Sequence, residues 1–386
     1  MNKKVLMIAA KANMIQQFNH RNIKILQDLG YEVHVATNMI DFGSMSSAEN
    51  ERLKKWMCEH QVVEHQVDFE RRMGSFKGNI RAIRQLQKIF IDNHFDFVHV
   101  HSPLGSVLGR LVAKKFHVPS IYTAHGFHFY KGGPKLRWIF FFPLEWLFSF
   151  ITDVLIVIND EDYALAKRHM HARKLIKING IGVDVHNAWK VTREEKARLR
   201  ENIRNELDIP MDAVLISSVG ELSNRKNHKL VLQALKVLPD IQRQRIYYII
   251  AGTGENGDML NDLAKSFGFE DHFKLLGYRT DIHAINYASD IFIFPSLQEG
   301  LGVAGLEAAV DGTFVIGSPQ RGIADYIENN HNGIILSDMH YKTMSKAIET
   351  CITNISNISN VKKSDFLLSF DKNHVDKVMK NIYSQE

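Results

Sequence analysis

Short apolar runs rich in β-branched residues alternate with helically spaced stretches along all 386 residues, and this alternation constrains the fold more than any other feature. A parallel strand covered on both faces reads as a near-continuous apolar run, and each parallel neighbour needs a crossover, usually helical. The runs at 4–9, 32–37, 97–101, 120–123 and 154–158 form one series; those at 214–219, 247–251, 273–276, 291–295, 313–316 and 333–336 form a second. This order excludes all-α and all-β folds and predicts an α/β chain with parallel sheets. One hydrophobic core stops growing near roughly 250–300 residues, so the two series read as two doubly wound domains. Gly180 and Gly182 interrupt the pattern ahead of a charged helix at 192–207, which sets the expected domains at 1–186 and 187–370. The stretch 371–386 carries Val375, Val378, Met379 and Ile382 on one helical side and is expected to return to the N-terminal domain. Ligands of open α/β sheets bind beyond the carboxyl ends of the strands, so two facing domains predict a site in the cleft between them.

Several classes are excluded by composition. The two cysteines, Cys58 and Cys351, are too far apart in sequence to form a CxxC pair, so neither a disulfide framework nor a cysteine zinc site is on offer, and a reducing cytoplasm is expected. The N-terminal apolar run 5–10 is too short for an export signal, and the most apolar stretch, 138–151, is interrupted by Pro143 and Glu145 and is too short to span a bilayer. Charge is uneven, with 26 basic against 17 acidic residues in positions 1–190 and 22 against 26 in the remainder. Arg71, Arg72, Lys77, Arg81, Arg84 and Lys88 follow one another with no acid among them. Two readings stand side by side: a solvated helix face, or attraction to anionic lipid at about 1 kcal/mol per basic residue. The aromatic segment 135–151 likewise reads as shallow membrane contact, a lipid-acceptor groove, core packing or a dimer surface. No nucleic acid partner is expected.

The most informative segment is 294–308, FPSLQEGLGVAGLEA. A strand ends at Pro295, a loop follows, and a helix begins near Gly302, so unpaired amides and the positive end of the helix dipole make an anion site. Glu299 in the loop and Glu307 in the helix flank that site, and carboxylates accept hydrogen bonds from sugar hydroxyls.

The same segment, with its two glutamates eight apart, resembles the donor-site motif of family 4 glycosyltransferases, retaining enzymes of the GT-B fold. The resemblance continues in FDFVHVHSPLGSVLGR, YTAHGFHFYKGG, INGIGVD, VGELSNRKNH, IAGTGE, LGYRTDI and RGIADYIENNHNGIIL, and is particularly close to the branch that builds bacterial capsule and exopolysaccharide. It implies an acceptor-binding first domain and a nucleotide-sugar-binding second one. It assigns Glu307 to the ribose hydroxyls, Glu299 to the donor sugar, and the amides of Leu301, Gly302 and Val303 to the sugar and diphosphate. Lys226 matches the lysine that neutralises the diphosphate, Arg225 is its candidate companion, and Tyr278 and Arg279 match the segment that meets the base. His125 matches a residue beside the donor sugar, which makes His125, Lys226 and Glu299 the candidate catalytic set.

Two departures accompany the resemblance. Glu221 stands where the family usually has arginine, and Ala10-Lys11-Ala12-Asn13 replaces an N-terminal glycine pair that permits close backbone approach to the diphosphate. Three further motifs mislead when read literally. Gly252-Thr253-Gly254-Glu255-Asn256-Gly257 spells a dinucleotide fingerprint but follows the second strand of its domain, not the first. Asp160-Glu161-Asp162 spells DxD but reads as an acidic first helical turn behind a cap at Asn159. His99 and His101 share a strand face without a third ligand, and no catalytic metal or other cofactor is expected.

The expectation is thus a cytoplasmic enzyme, peripheral at the inner face of the plasma membrane, that transfers a hexosyl or N-acetylhexosaminyl group from a UDP-sugar to a lipid-linked saccharide. A UDP-N-acetylhexosamine epimerase of the same fold and a non-catalytic nucleotide-sugar-binding scaffold are the alternatives.

Overall fold

The computed structural model describes residues 3–358 and 363–385, apart from the side chain of residue 357. The chain divides into two compact units, residues 1–181 with 373–386, and residues 182–372.

The first unit holds seven strands: β1 (Lys3–Ile8), β2 (Tyr31–Thr37), β3 (Val63–Gln66), β4 (Phe97–His101), β5 (Ser120–Ala124), β6 (Val154–Val157) and β7 (Lys174–Lys177). They form one sheet in the order β3-β2-β1-β4-β5-β6-β7, and every pairing is parallel. The order reverses between β1 and β4, the switch point where doubly wound sheets open a crevice. Buried Leu6, Ile8, Val98, Val100 and Tyr122 pack under Leu86, Phe90, Phe127 and Phe129. Helix Lys372–Tyr383 returns to this unit from Asn373 onward and buries Val375, Met379, Ile382 and Tyr383.

The second unit holds β8 (Val214–Val219), β9 (Ile246–Ala251), β10 (Phe273–Gly277), β11 (Ile291–Phe294), β12 (Phe314–Gly317) and β13 (Gly333–Ile335), parallel throughout in the order β10-β9-β8-β11-β12-β13. Its switch point lies between β8 and β11. Successive strand residues face opposite sides: Ile216 and Ile250 pack against Leu230 and Leu235, whereas Leu215 and Ile249 pack against Ile203 and Ile285. Both faces are covered, which is why these strands read as continuous apolar runs.

The division falls at 181/182, ahead of the expected residue 187. The intervening residues are tied into the second unit: Val183 donates to the Phe370 carbonyl at 2.9 Å and accepts from the Lys372 amide at 2.8 Å. Strands β3 and β7 are additions to the sequence reading. Both lie at sheet edges, where VEHQ and KLIK are at most half-buried and lack an apolar run. The 135–151 segment forms helix Lys135–Ser149 with Pro143 inside it, and no described helix is long and apolar enough to cross a membrane.

Candidate functional site

In the second unit, the turns that leave β8 and β11 at the switch point carry the charged residues singled out above. After β8 the chain turns through Gly220 into Glu221–Lys226; after β11 it runs through Pro295 to Glu299. The Leu297 amide donates to the Arg225 carbonyl at 2.8 Å, which ties the two turns together. Glu299 Oε1 then receives both Lys226 Nζ at 2.8 Å and Arg225 Nη1 at 2.7 Å. Lys226 and Glu299 are largely enclosed, with side chains 12% and 11% exposed, whereas Arg225 is 44% exposed. The Lys226 ammonium also lies 4.5 Å from the centre of the Phe294 ring. Burial lowers the Lys226 pKa from its usual value while Glu299 pulls it back up, so the cation is held by its carboxylate partner. Glu221 Oε2 lies 3.7 Å from Arg225 Nη2, so two carboxylates match the two cations, and an entering diphosphate competes with them for Lys226 and Arg225.

The GTGENG turn after β9 packs against that arrangement. A Cβ on Gly252 would stand 2.0 Å from the Gly220 carbonyl oxygen, and Leu222 exchanges backbone bonds with Thr253 and Asn256 at 2.9 Å each. Its glycines let the β9 turn lie against the β8 turn.

Helix Val303–Asp311 begins where the sequence placed it. Gly302, at φ +84°, is its N-cap, and no side chain caps the helix. A Cβ there would meet Phe294 Cε1 at 2.6 Å, so both the left-handed backbone and the space require glycine. The first amides, of Val303 and Ala304, thus start a helix whose dipole favours an anion. Glu307 lies on this helix with its carboxylate hydrogen-bonded to no described residue. Burial raises its pKa, opposed by the nearby His283 imidazole, which is itself raised by its 2.8 Å contact with Asp311.

Of the base-contacting candidates, Tyr278 is 79% exposed, but Arg279 is committed to its neighbours. The Arg279 guanidinium bonds Asp281 at 2.6 and 2.8 Å and Glu206 at 2.6 and 3.2 Å. Sequence reasoning gave no role to Arg321, whose buried guanidinium donates to the Glu299 carbonyl at 3.3 Å and so braces the loop that presents Glu299. Its signal was present in RGIADY, where an arginine and a glycine follow β12.

His125 belongs to the first unit, just beyond β5. Its Nε2 lies 3.1 Å from His101 Nδ1. His99 is held at Nδ1 by the Tyr383 hydroxyl and at Nε2 by Thr123, both at 2.8 Å. Burial depresses all three imidazoles, His125 to about 4 and His99 to about 3, so each is neutral near pH 7. Asp160-Glu161-Asp162 are occupied locally: Asn159 caps the helix through the Asp162 amide, Asp160 pairs with Lys177 at 2.6 Å, and Glu161 accepts from the Lys131 amide at 2.7 Å. Among the described residues no three His, Cys, Asp or Glu side chains gather as metal ligands.

Comparison with known proteins finds matches along most of the chain. Residues 16–187 match Glycosyltransferase Family 4, and residues 199–363 match Glycosyl transferases group 1. EpsD of Bacillus subtilis, a glycosyltransferase by name, is 30% identical over 90% of this chain and 87% of its own length. The Escherichia coli UDP-Gal:α-D-GlcNAc-diphosphoundecaprenol α-1,3-galactosyltransferase is 29% identical over 67% of this chain and 66% of its own. Among solved structures, Anabaena Alr3699/HepE in complex with UDP and glucose superposes with a TM-score of 0.75 at 17% identity, covering both chains completely.

Proposed function

The chain belongs to glycosyltransferase family 4, with the GT-B fold, and from that premise we propose that it moves a hexosyl or N-acetylhexosaminyl group from a UDP-sugar to a lipid-linked saccharide during bacterial surface polysaccharide assembly. The observation that carries this reading is the Lys226–Glu299–Arg225 cluster, with Lys226 and Glu299 enclosed, beside the uncapped helix start at Gly302. The donor's diphosphate takes the positive charge of Lys226 and Arg225 together with the amides of Leu301, Gly302 and Val303, and Glu307 takes the ribose hydroxyls. Glu299 serves the donor sugar, and Tyr278 the base; His125, on the first unit, is assigned to the reacting sugar. The UDP complex of the Anabaena protein and the lipid diphosphate in the Escherichia coli enzyme's name support the donor and acceptor classes.

Chemistry on this reading is largely electrostatic. The acceptor hydroxyl forms its bond to the anomeric carbon on the face from which the diphosphate leaves. The bond from that carbon to the phosphate oxygen breaks, and a departing phosphate oxygen takes the hydroxyl proton. Lys226, Arg225 and the helix amides stabilise the charge that grows on the diphosphate, a kind of preorganised contribution worth several kcal/mol where it has been dissected. No metal or other cofactor is assigned a part.

The test is a screen of UDP-sugars against a membrane lipid extract, reading released UDP. Release that depends on the lipid supports the proposal. Consumption of UDP-N-acetylhexosamine without any acceptor would identify an epimerase, and no release from any donor would leave a binding scaffold. Glu307→Ala should weaken UDP binding roughly ten- to a hundredfold, from the loss of charge-assisted hydrogen bonds to the ribose.

A further inference from the structure

The proposed role of His125 raises a question that its own surroundings answer: which ring nitrogen carries the proton. Two neutral imidazoles joined at 3.1 Å share one hydrogen bond, so one must donate and the other accept. The other nitrogen of His101, Nε2, is fully buried and has no hydrogen-bond partner. If His125 donated, His101 would have to carry its proton on Nε2 and bury an orphaned N–H, the costlier defect and the rarer one in folded proteins. If His101 donates from Nδ1, its Nε2 keeps only a lone pair.

We propose that His101 is the positioning residue of His125: its Nδ1–H donates to His125 Nε2 and fixes His125 as the Nδ1–H tautomer, presenting a donor to the reacting sugar. The scaffold for this is rigid. His101 ends β4 and is 1% exposed, and its ring centre lies 4.1 Å from that of His99, which Thr123 and Tyr383 hold from both sides. On the other side of His125, Phe18 lies 5.1 Å away ring to ring. A donor at Nδ1 suits an acceptor atom such as a sugar hydroxyl oxygen, and a fixed proton excludes the alternative tautomer that would present a lone pair.

The catalytic part of this inference rests on the role proposed for His125; the tautomer does not. Nitrogen-15 NMR of the full chain labelled at histidine, with signals assigned through His101→Asn and His125→Gln, reads the proton position in the free protein. His125 should show an unprotonated Nε2 and a protonated Nδ1. In His101→Leu the His125 signals should move toward a mixture of tautomers, while His101→Asn, whose amide reproduces the Nδ1 donor, should keep the wild-type pattern. Turnover should fall roughly ten- to a hundredfold in His101→Leu with the donor KM within about twofold, and His101→Asn should restore most of it. A protonated His125 Nε2 in the wild type would overturn the proposal even if neither variant folds, and so would a tautomer indifferent to His101→Leu. A tautomer that shifts as described without any loss of turnover would uphold the coupling and remove His125 from catalysis.

Discussion

Lys226 and Arg225 touch the same carboxylate oxygen, yet their surroundings make them unequal. Lys226 is enclosed between Glu299 and the Phe294 ring, whereas Arg225 is nearly half exposed and is shared with the Gln298 carbonyl. An interaction with developing charge is worth more where water is excluded. Lys226→Ala should therefore lower kcat roughly a hundred- to a thousandfold, and Arg225→Ala by about tenfold or less, compared at saturating UDP-sugar. Equal losses would show that enclosure does not rank the two. A Lys226→Ala enzyme with near-wild-type turnover would remove the lysine from the reaction. At this scale the sequence was legible in placing Lys226 and Glu299 in turns that leave two strands and Glu307 on the helix that follows, though not in pairing the first two. It was not legible where a distant partner decides. Arg279, after Gly277, matches a base-contacting segment, but Glu206, 73 positions away, joins Asp281 in holding it. His101 reads as a possible metal ligand until β4 and β5 pair and bring His125 to it.

Elements were legible in proportion to how completely they are buried. The central strands β1, β4 and β5, and β8 and β11 in the second sheet, announce themselves as apolar runs because helices cover both faces. Edge strands β3 and β7 do not, since their pairing uses backbone groups that no side-chain pattern records. The start of helix Val303–Asp311 depends on a single residue, and Gly302→Ala tests it. A Cβ at φ +84° and 2.6 Å from Phe294 should cost roughly 1–3 kcal/mol and weaken UDP binding as the first amides shift. Paired urea titration and UDP binding would check this, and unchanged values for both would show that the cap tolerates a side chain. Helix Lys135–Ser149 is the opposite case, apolar yet uncovered: Leu136, Ile139 and Phe140 are 64–65% exposed, and Leu147 and Phe150 are 59% and 53% exposed. The basic residues of helix Phe76–Asp92 are exposed as well. Burial of four or five such side chains in a bilayer interface, with added attraction to anionic headgroups, gives peripheral binding. Vesicles containing anionic lipid should sediment with the protein, and Ile139→Ser with Phe140→Ser should weaken that binding by tenfold or more. Loss of binding in salt alone, with no effect of these substitutions, would assign the attraction to charge and leave the apolar face to another role.

For the molecule as a whole, buried neutral histidines set the response to acid. His99 is depressed to about 3, His65, His125 and His228 to about 4, and His101 well below its usual value, all chiefly by burial. An unfolded chain protonates these side chains near pH 6.5, so between pH 6.5 and about 4 it binds protons that the folded chain refuses. Stability therefore rises with pH through this window and is complete above it, and it is lost as the pH falls. At pH values below both of its pKa values each group costs the fold roughly 3 kcal/mol or more, so a few of them together match the 5–15 kcal/mol by which a typical folded chain is stable. His283 has the opposite sign, being raised by Asp311, but its side chain is 55% exposed and screened, so it does not cancel the others. Carboxylates whose values are lowered by their partners, such as Asp41 beside Lys11, act from about their ordinary values downward, which leaves the interval from 6.5 to about 5 to the histidines. The urea midpoint should be flat above pH 7 and fall steeply below pH 6, with proton uptake on unfolding approaching five near pH 5. His228→Gln removes one titrating group from the interior of the second unit, where Nε2 has no hydrogen-bond partner, and should lower that uptake by about one proton while donor turnover at pH 7.5 reports that the site is intact. A midpoint that holds steady down to pH 4.5 would mean that these imidazoles accept protons in the folded chain, and their burial would then not govern its acid stability.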